Sequence, residues 1–343
     1  MLQAAGASMG TVAMVTLSGC LGDENGDDEG TTSETTQLPY LLTESAVDMV
    51  PFQVGQERGI FADHGIEINL EITTYGEYSR GLTTGDSNLG NADQSMFVDA
   101  HVDDFRQLAF GSNLLQFNSM FVREGSDIES PADIEGRSVA FPGFESGTAL
   151  GMRSVIEDEF GFDPVEDTDS TAVDSAVAYQ LVVDGEVDAA ILFTGDTIRG
   201  FADDDLRSVF NIWEAWEERT GYSLDVIYFA AREEWLEDNW DVAYEFTQAW
   251  EESLEAVAED PEDAYGRLGQ LAGLTDEDQA EVAVNAFESG DLHQMDQSVW
   301  DEEYLDAQWE FLELLETYGL KEEAPPRDQL ITHQELAENA EEM

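Results

Sequence analysis

Ser119-Met120-Phe121-Val122-Arg123-Glu124 and Ile227-Tyr228-Phe229-Ala230-Ala231-Arg232-Glu233 are the two stretches whose reading decides the fold. Each is an apolar run closed by Arg-Glu, and each reads as a buried strand. Between them lies a self-contained alternation: strand 138–141, helix 148–160, helix 175–184, strand 189–193 and strand 208–212. A middle unit entered by one extended strand and left by another is what a hinged, two-lobed chain needs. On the N-terminal side, Leu38-Pro39-Tyr40-Leu41-Leu42 reads as a short buried strand. Asp48-Met49-Val50-Pro51 reads as a helix start with Pro51 in its first turn. That helix runs through Val54, Ile60 and Phe61 and stops at Gly65. Ile68, Leu70 and Ile72 alternate along the next strand. Short elements come next at 75–83, 88–92, 94–100 and 106–111. This order predicts an α/β fold with mostly parallel sheets, as two α/β lobes joined by two crossing strands. The C-terminal side carries amphipathic helices bearing Trp235, Trp240, Trp250, Trp300 and Trp309. The expected division is lobe 1 over 38–118 and 234–321, lobe 2 over 119–233, and an acidic, solvated tail over 322–343 with a short helix at 334–342.

Acids number 77 and bases 13, a formal net charge of −64, and Lys321 is the only lysine. Such a charge repels itself in dilute buffer and is tolerated when concentrated salt screens it. The pattern resembles proteins of extreme halophiles. A hydrophobic share of 42%, with 18 Phe, 10 Tyr and 7 Trp, supplies real cores and excludes an acidic disordered chain. Nucleic acid is excluded as a partner, because phosphates would be repelled. Carboxylate pairs occur everywhere by chance here, so no Asp/Glu couple is nominated as general acid and base on spacing.

The single cysteine closes Leu17-Ser18-Gly19-Cys20, and nothing from Met1 to Gly19 is charged. An acidic, Gly/Thr/Ser-rich stretch, 21–36, comes after it. The order reads as export signal (1–20), attachment cysteine and disordered tether (21–36). Leu-Ser-Gly-Cys resembles the lipobox of exported lipoproteins, in which the chain is cut before the cysteine and the thiol carries a lipid. The resemblance implies lipid attachment at Cys20 and a cell-surface protein on the outer face of the cytoplasmic membrane. Leu2-Gln3-Ala4-Ala5-Gly6-Ala7 resembles the stretch just downstream of a twin-arginine export motif, so a start a few residues upstream is expected. The segment is too short and too rich in Gly and Ser for a spanning helix. One cysteine allows no internal disulfide.

Four runs then carry a family resemblance. They are Pro51-Phe52-Gln53-Val54-Gly55-Gln56-Glu57-Arg58-Gly59-Ile60-Phe61-Ala62-Asp63-His64-Gly65-Ile66-Glu67-Ile68, Gly81-Leu82-Thr83-Thr84-Gly85-Asp86, Ser130-Pro131-Ala132-Asp133-Ile134-Glu135-Gly136-Arg137-Ser138-Val139-Ala140, and Tyr179-Gln180-Leu181-Val182-Val183-Asp184-Gly185-Glu186-Val187-Asp188-Ala189-Ala190. In this order they resemble the periplasmic-type solute-binding proteins of the sulfonate/nitrate/thiamine-precursor group, the NMT1/THI5-like domain, over nearly all of 38–320. The resemblance implies a periplasmic-binding-protein-like fold of type II. It also implies a small solute held between hinged lobes, delivery to the permease and ATPase subunits of an ATP-driven importer, and a monomer that needs no cofactor.

Open α/β sheets bind ligands beyond the carboxyl ends of their strands. The candidate loops therefore give Thr43, Glu44 and Asp48; Asn91, Asp93 and Gln94; Gly111, Ser112 and Asn113; Phe144, Ser146, Gly147 and Thr148; and Thr194, Gly195 and Asp196. Phe141-Pro142-Gly143-Phe144-Glu145-Ser146-Gly147-Thr148 leads straight into a helix, whose free N–H groups and dipole suit a carboxylate, sulfonate or nitrate. Ser146 or Thr148 as a plain helix cap fits the same residues. An aminopyrimidine would instead stack on Phe97, Phe144 or Phe193 and donate to Asp48, Asp93 or Asp196. Both pictures stay open. A surface sensory domain would share every one of these features.

Catalysis is not expected. Relatives that make a pyrimidine need a Schiff-base lysine and a cysteine-rich iron-binding run, whereas Lys321 lies near the C-terminus and Cys20 in the signal. Gly143-Phe144-Glu145-Ser146-Gly147 has its serine one place late for a nucleophile elbow. His64, His101, His293 and His333 lack metal-ligand spacing. There is no phosphate-cradling Gly-x-x-x-x-Gly-Lys-Ser/Thr run.

Overall fold

The computed structural model describes residues 35–43, 46–73, 75–78 and 80–343; the signal, Cys20, nearly all of the tether and Glu44 lie outside the described residues. Residues 35–343 form one compact unit. Its strands are β1 (Thr36–Thr43), β2 (Ile66–Thr73), β3 (Leu89–Asp93), β4 (Gln107–Leu115), β5 (Ser119–Arg123), β6 (Ser138–Pro142), β7 (Asp169–Val173), β8 (Ala189–Leu192), β9 (Leu206–Asn211) and β10 (Asp225–Arg232).

The two deciding strands are counterparts. β5 lies between β8 and β9 and runs antiparallel to both, in a sheet ordered β7-β6-β8-β5-β9. β10 lies between β3 and β4 and runs antiparallel to both. β1 and β2 pair in parallel as a separate ladder. Each lobe is thus a parallel α/β unit into which one strand arriving from the other lobe is inserted antiparallel. β10 carries register shifts against β4 between Asp225 and Ile227 and again at Tyr228, so the strand bends where it enters lobe 1.

Residues 48–65 form two helices rather than one. Met49–Arg58 ends at Gly59, whose φ of +77° is the left-handed region that suits glycine, and Ile60–Asp63 comes after it. The lobe 1 core is aromatic. Phe52 packs on Trp250 with ring centroids 4.5 Å apart, and Phe229 packs on Phe246 at 5.0 Å. Burying each such ring contributes about 1.5–3 kcal/mol.

The C-terminal residues differ from the solvated tail expected of them. Leu330 bridges Ala109 of β4, the Ile331 N–H donates to the Ala109 carbonyl at 2.8 Å, and Leu336 is fully buried. The helix His333–Glu341 is real, started by Thr332 and Glu335 capping each other's backbone. The acidic residues dominate the composition of this stretch, but its few leucines dominate its packing.

Candidate functional site

Most of the strand-end residues of lobe 1 are buried against one another. Asp48 is 1% exposed, Asn91 6% and Asn113 0%. The Asn113 amide donates to Asp48 Oδ2 and to Asn91 Oδ1, each at 2.8 Å, and the Tyr40 hydroxyl donates to Asn91 Oδ1. Burial pushes the Asp48 carboxyl up to about 6, against the lowering pull of the two amides. His293 donates from Nδ1 to the Asn113 carbonyl at 2.7 Å, and burial lowers its pKa to about 4, so the ring is neutral. Ser112 donates to the buried Asp225, which burial raises to about 7 although Ser112 and Tyr304 donate to it. These residues form a core network beneath the strand ends.

The loop leading into the helix Gly147–Phe160 is covered by lobe 1. Ser146 Oγ accepts the Ala149 N–H at 3.2 Å, so it caps the helix. A Cβ on Gly147 would touch Asp93 at 3.5 Å, and Ser95 of lobe 1 donates to the Glu145 carbonyl at 2.8 Å. Asp93 itself caps the helix Gln94–Val102 through the Met96 N–H. Thr148 is buried, and Phe144 packs its edge on Phe141 at 5.8 Å. Phe97 is fully buried, edge-on to Tyr228.

An open cleft of about 600 Å³ lies elsewhere, at the ends of β1 and β2 on one side and after β7 and β8 on the other. Lobe 1 supplies Thr43, Ile72, Thr73 and Glu77 to it, and Ala272 and Gly273 close one side. Lobe 2 supplies two helix starts: Ser175–Asp184, entered through Asp174, and Thr194–Ala202, entered through Phe193. The Phe193 N–H donates to Ser175 Oγ at 3.0 Å, which fixes the two starts side by side. Among the described residues no side chain caps either of them.

Among the described residues, Arg199 is the one basic side chain in the cleft lining. It pairs with Asp196 at 2.5 Å and lies over the Tyr179 ring, 4.2 Å from the centroid. Tyr179 is held in turn by donating to Asp203 at 2.7 Å, and burial with that carboxylate pushes its hydroxyl up to about 12. Salt bridge and stacking together fix the guanidinium in place. Acids among the 13 lining residues are Glu77, Asp174 and Asp196, a share close to that of the whole chain (77 of 343), so the cleft is not specially acidic. Uncapped helix starts, a fixed guanidinium and hydroxyls beside apolar walls can hold a small anion with a short apolar body.

Of the residues chosen from sequence, the structure brings Thr43, Gly195 and Asp196 to the cleft lining, with Thr194 buried at the adjoining helix start, and Phe193 joins them. It gathers Asp48, Asn91 and Asn113, and separately Asp93, Gln94, Ser146 and Gly147, away from it. Sequence reasoning missed Arg199. The available signal was its scarcity value, a basic residue three positions after a strand-end acid in a chain with 13 bases.

The NMT1/THI5 like family matches residues 46–264. The chain belongs to the NMT1/THI5-like family. Solved structures of similar fold include the periplasmic aliphatic sulphonate binding protein SsuA of Escherichia coli, with TM-score 0.69, 17% identity, and coverage of 85% of this chain and 91% of that one. The periplasmic nitrate-binding protein NrtA of Synechocystis PCC 6803 aligns with TM-score 0.65 and 14% identity over 90% of this chain and 89% of that one. Protein AF1704 of Archaeoglobus fulgidus aligns with TM-score 0.60 and 20% identity over 84% of this chain and 99% of that one. No curated protein matches this NMT1/THI5-like chain by sequence. At these identities the likeness carries the fold: that of periplasmic binding proteins, two α/β lobes. Among the described residues no helix is long and apolar enough to cross a membrane, and no group of three or more His, Cys, Asp or Glu is placed to hold a metal ion.

Proposed function

We propose that this chain is the solute-binding subunit of an ATP-driven importer, capturing a small polar or anionic solute of the sulfonate, nitrate or taurine kind in the cleft between its lobes. The observation that carries this reading is Arg199, fixed by Asp196 and Tyr179 beside two uncapped helix starts. Lobe limits of 38–118 with 234–321, and of 119–233, agree with β1 to β4 on one side and β5 to β9 on the other. β10, however, pairs with β3 and β4, so we draw the second boundary before Asp225 rather than after residue 233. In this reading the protein is not an enzyme. It is exported, anchored by lipid at Cys20, monomeric, and serves permease and ATPase subunits. An aminopyrimidine remains the second reading, favoured by Phe193 and Asp196 together in the lining.

The test is thermal unfolding in molar salt against nitrate, taurine, alkanesulfonates, bicarbonate, aminopyrimidines and simple carboxylates. A specific binder raises the melting temperature by mass action. A shift with one anion class supports the reading; a shift only with aminopyrimidines replaces it with the second. For the anchor, Cys20→Ser should release the protein into the medium, and retention at the membrane refutes lipidation there.

A further inference from the structure

The segment joining β4 to β5 carries two fully buried amides, Gln116 and Asn118, that neither core nor cleft accounts for. Gln116 Nε2 donates to Gln94 Oε1 of lobe 1 at 3.0 Å and approaches the Gly147 carbonyl of lobe 2 at 3.5 Å. Its Oε1 accepts from the Asn118 amide. Asn118 Oδ1 in turn accepts from the hydroxyl of Thr194 at 3.4 Å. Thr194 is the first residue of the helix that carries Asp196 and Arg199 into the cleft. At the other end Gln94 donates to the Tyr228 hydroxyl on β10 at 3.4 Å. The chain of bonds therefore runs without a break from one crossing strand, through lobe 1, past the other crossing segment, to the cleft helix of lobe 2. Gly151 makes room for it: a Cβ there would lie 2.9 Å from Gln116 Nε2. Gln94, Gln116, Asn118 and Thr194 are all 0% exposed, so water cannot replace a lost partner, and each amide holds the next in one orientation.

We propose that Gln116 and Asn118 are positioning residues, whose amide chain ties the start of the cleft helix to lobe 1 and sets the angle between the lobes. Rotating one lobe against the other must break the Gln94–Gln116 bond or the Gln116–Gly147 contact, because the Gln116 amide touches both lobes at once. The consequence for affinity rests on the cleft being the solute site; the lobe angle does not.

The test is made without solute, so it can fail while the cleft reading stands. Spin labels are placed at Asp63→Cys and Glu186→Cys, both exposed, in the full chain carrying Cys20→Ser, and the label-to-label distance is measured in molar salt. Two variants are compared with this parent. Gln116→Met keeps the bulk and removes the amide. Gly151→Ala favours its helix but drives a methyl into the space of the Gln116 amide. Both should give a longer and broader distance distribution, and both should lower the melting temperature, since Gly151→Ala also crowds Ile212. A merely structural role moves the melting temperature alone. If Gly151→Ala keeps the parent distance distribution, the proposal is overturned, whatever Gln116→Met does.

Discussion

Lobe 2 offers helix starts after successive strands, and two of them meet opposite fates. Gly147–Phe160 comes after β6, and Thr194–Ala202 after β8. Both present free N–H groups at the positive end of a helix. The first is capped by Ser146, pressed against Asp93 and shut under lobe 1. The second is uncapped, opens to a cleft of about 600 Å³ and has a guanidinium one turn in. Local sequence makes a start suitable for an anion; the opposite lobe decides whether an anion can reach it.

The largest expected effect on binding falls on the open start. Arg199→Met should weaken the best-binding anion of the solute panel on the order of 100-fold, about 3 kcal/mol, as read by titration calorimetry in molar salt. An unchanged affinity would place the solute elsewhere and break the comparison. Next comes the carboxyl buried in the core network beside Ser112 and Tyr304. Asp225 holds its proton up to about 7, whereas an unfolded chain releases it near the usual carboxylate value of about 4. The native state then binds more protons than the unfolded state between these values, so this group's contribution to stability falls as pH rises from about 4 to about 7 and is level above. Asp225→Asn should remove that slope, worth roughly 4 kcal/mol, as seen in the parent-minus-variant difference in melting temperature across pH. A difference that stays constant across this window would contradict the assignment. The self-repulsion of the other acids is common to both proteins and cancels.

A smaller effect probes the contact between the lobes at the covered start. Gly147→Val puts a side chain against Asp93 and should cost about 1–3 kcal/mol in denaturant unfolding. Full stability would mean that the covered start is loosely packed. Smallest is Ser146→Ala, which removes the cap and should cost about 1 kcal/mol while leaving anion affinity unchanged. A clear loss of affinity in that variant would revive the covered start as a site.

The fold was legible because its signals are local. The twin Arg-Glu strands announce the two crossings, and the apolar spacing Met152, Ile156 and Phe160 marks a helix of which the first two are buried and Phe160, in its last turn, is exposed. The strand-end loops were found by the same logic. Which of them stay open was not legible, because Asp93 meets Gly147 and Gln116 meets both lobes only once residues far apart in the chain have packed. Arg199 escaped because it lies one helical turn beyond the loop Thr194-Gly195-Asp196. The last residues were misjudged on acidity, although Leu330 and Leu336 beside the capping pair Thr332 and Glu335 already pointed to a docked helix.

Amide hydrogen exchange, run with and without the panel anion that most raises the melting temperature, tests the central claim most directly. The open start should gain protection at 194–197, and 175–178 beside it, while 147–150, already covered by lobe 1, should exchange at the same rate in both samples. Protection arising at 147–150 with none at 194–197 would contradict the account and return the solute to the covered helix start.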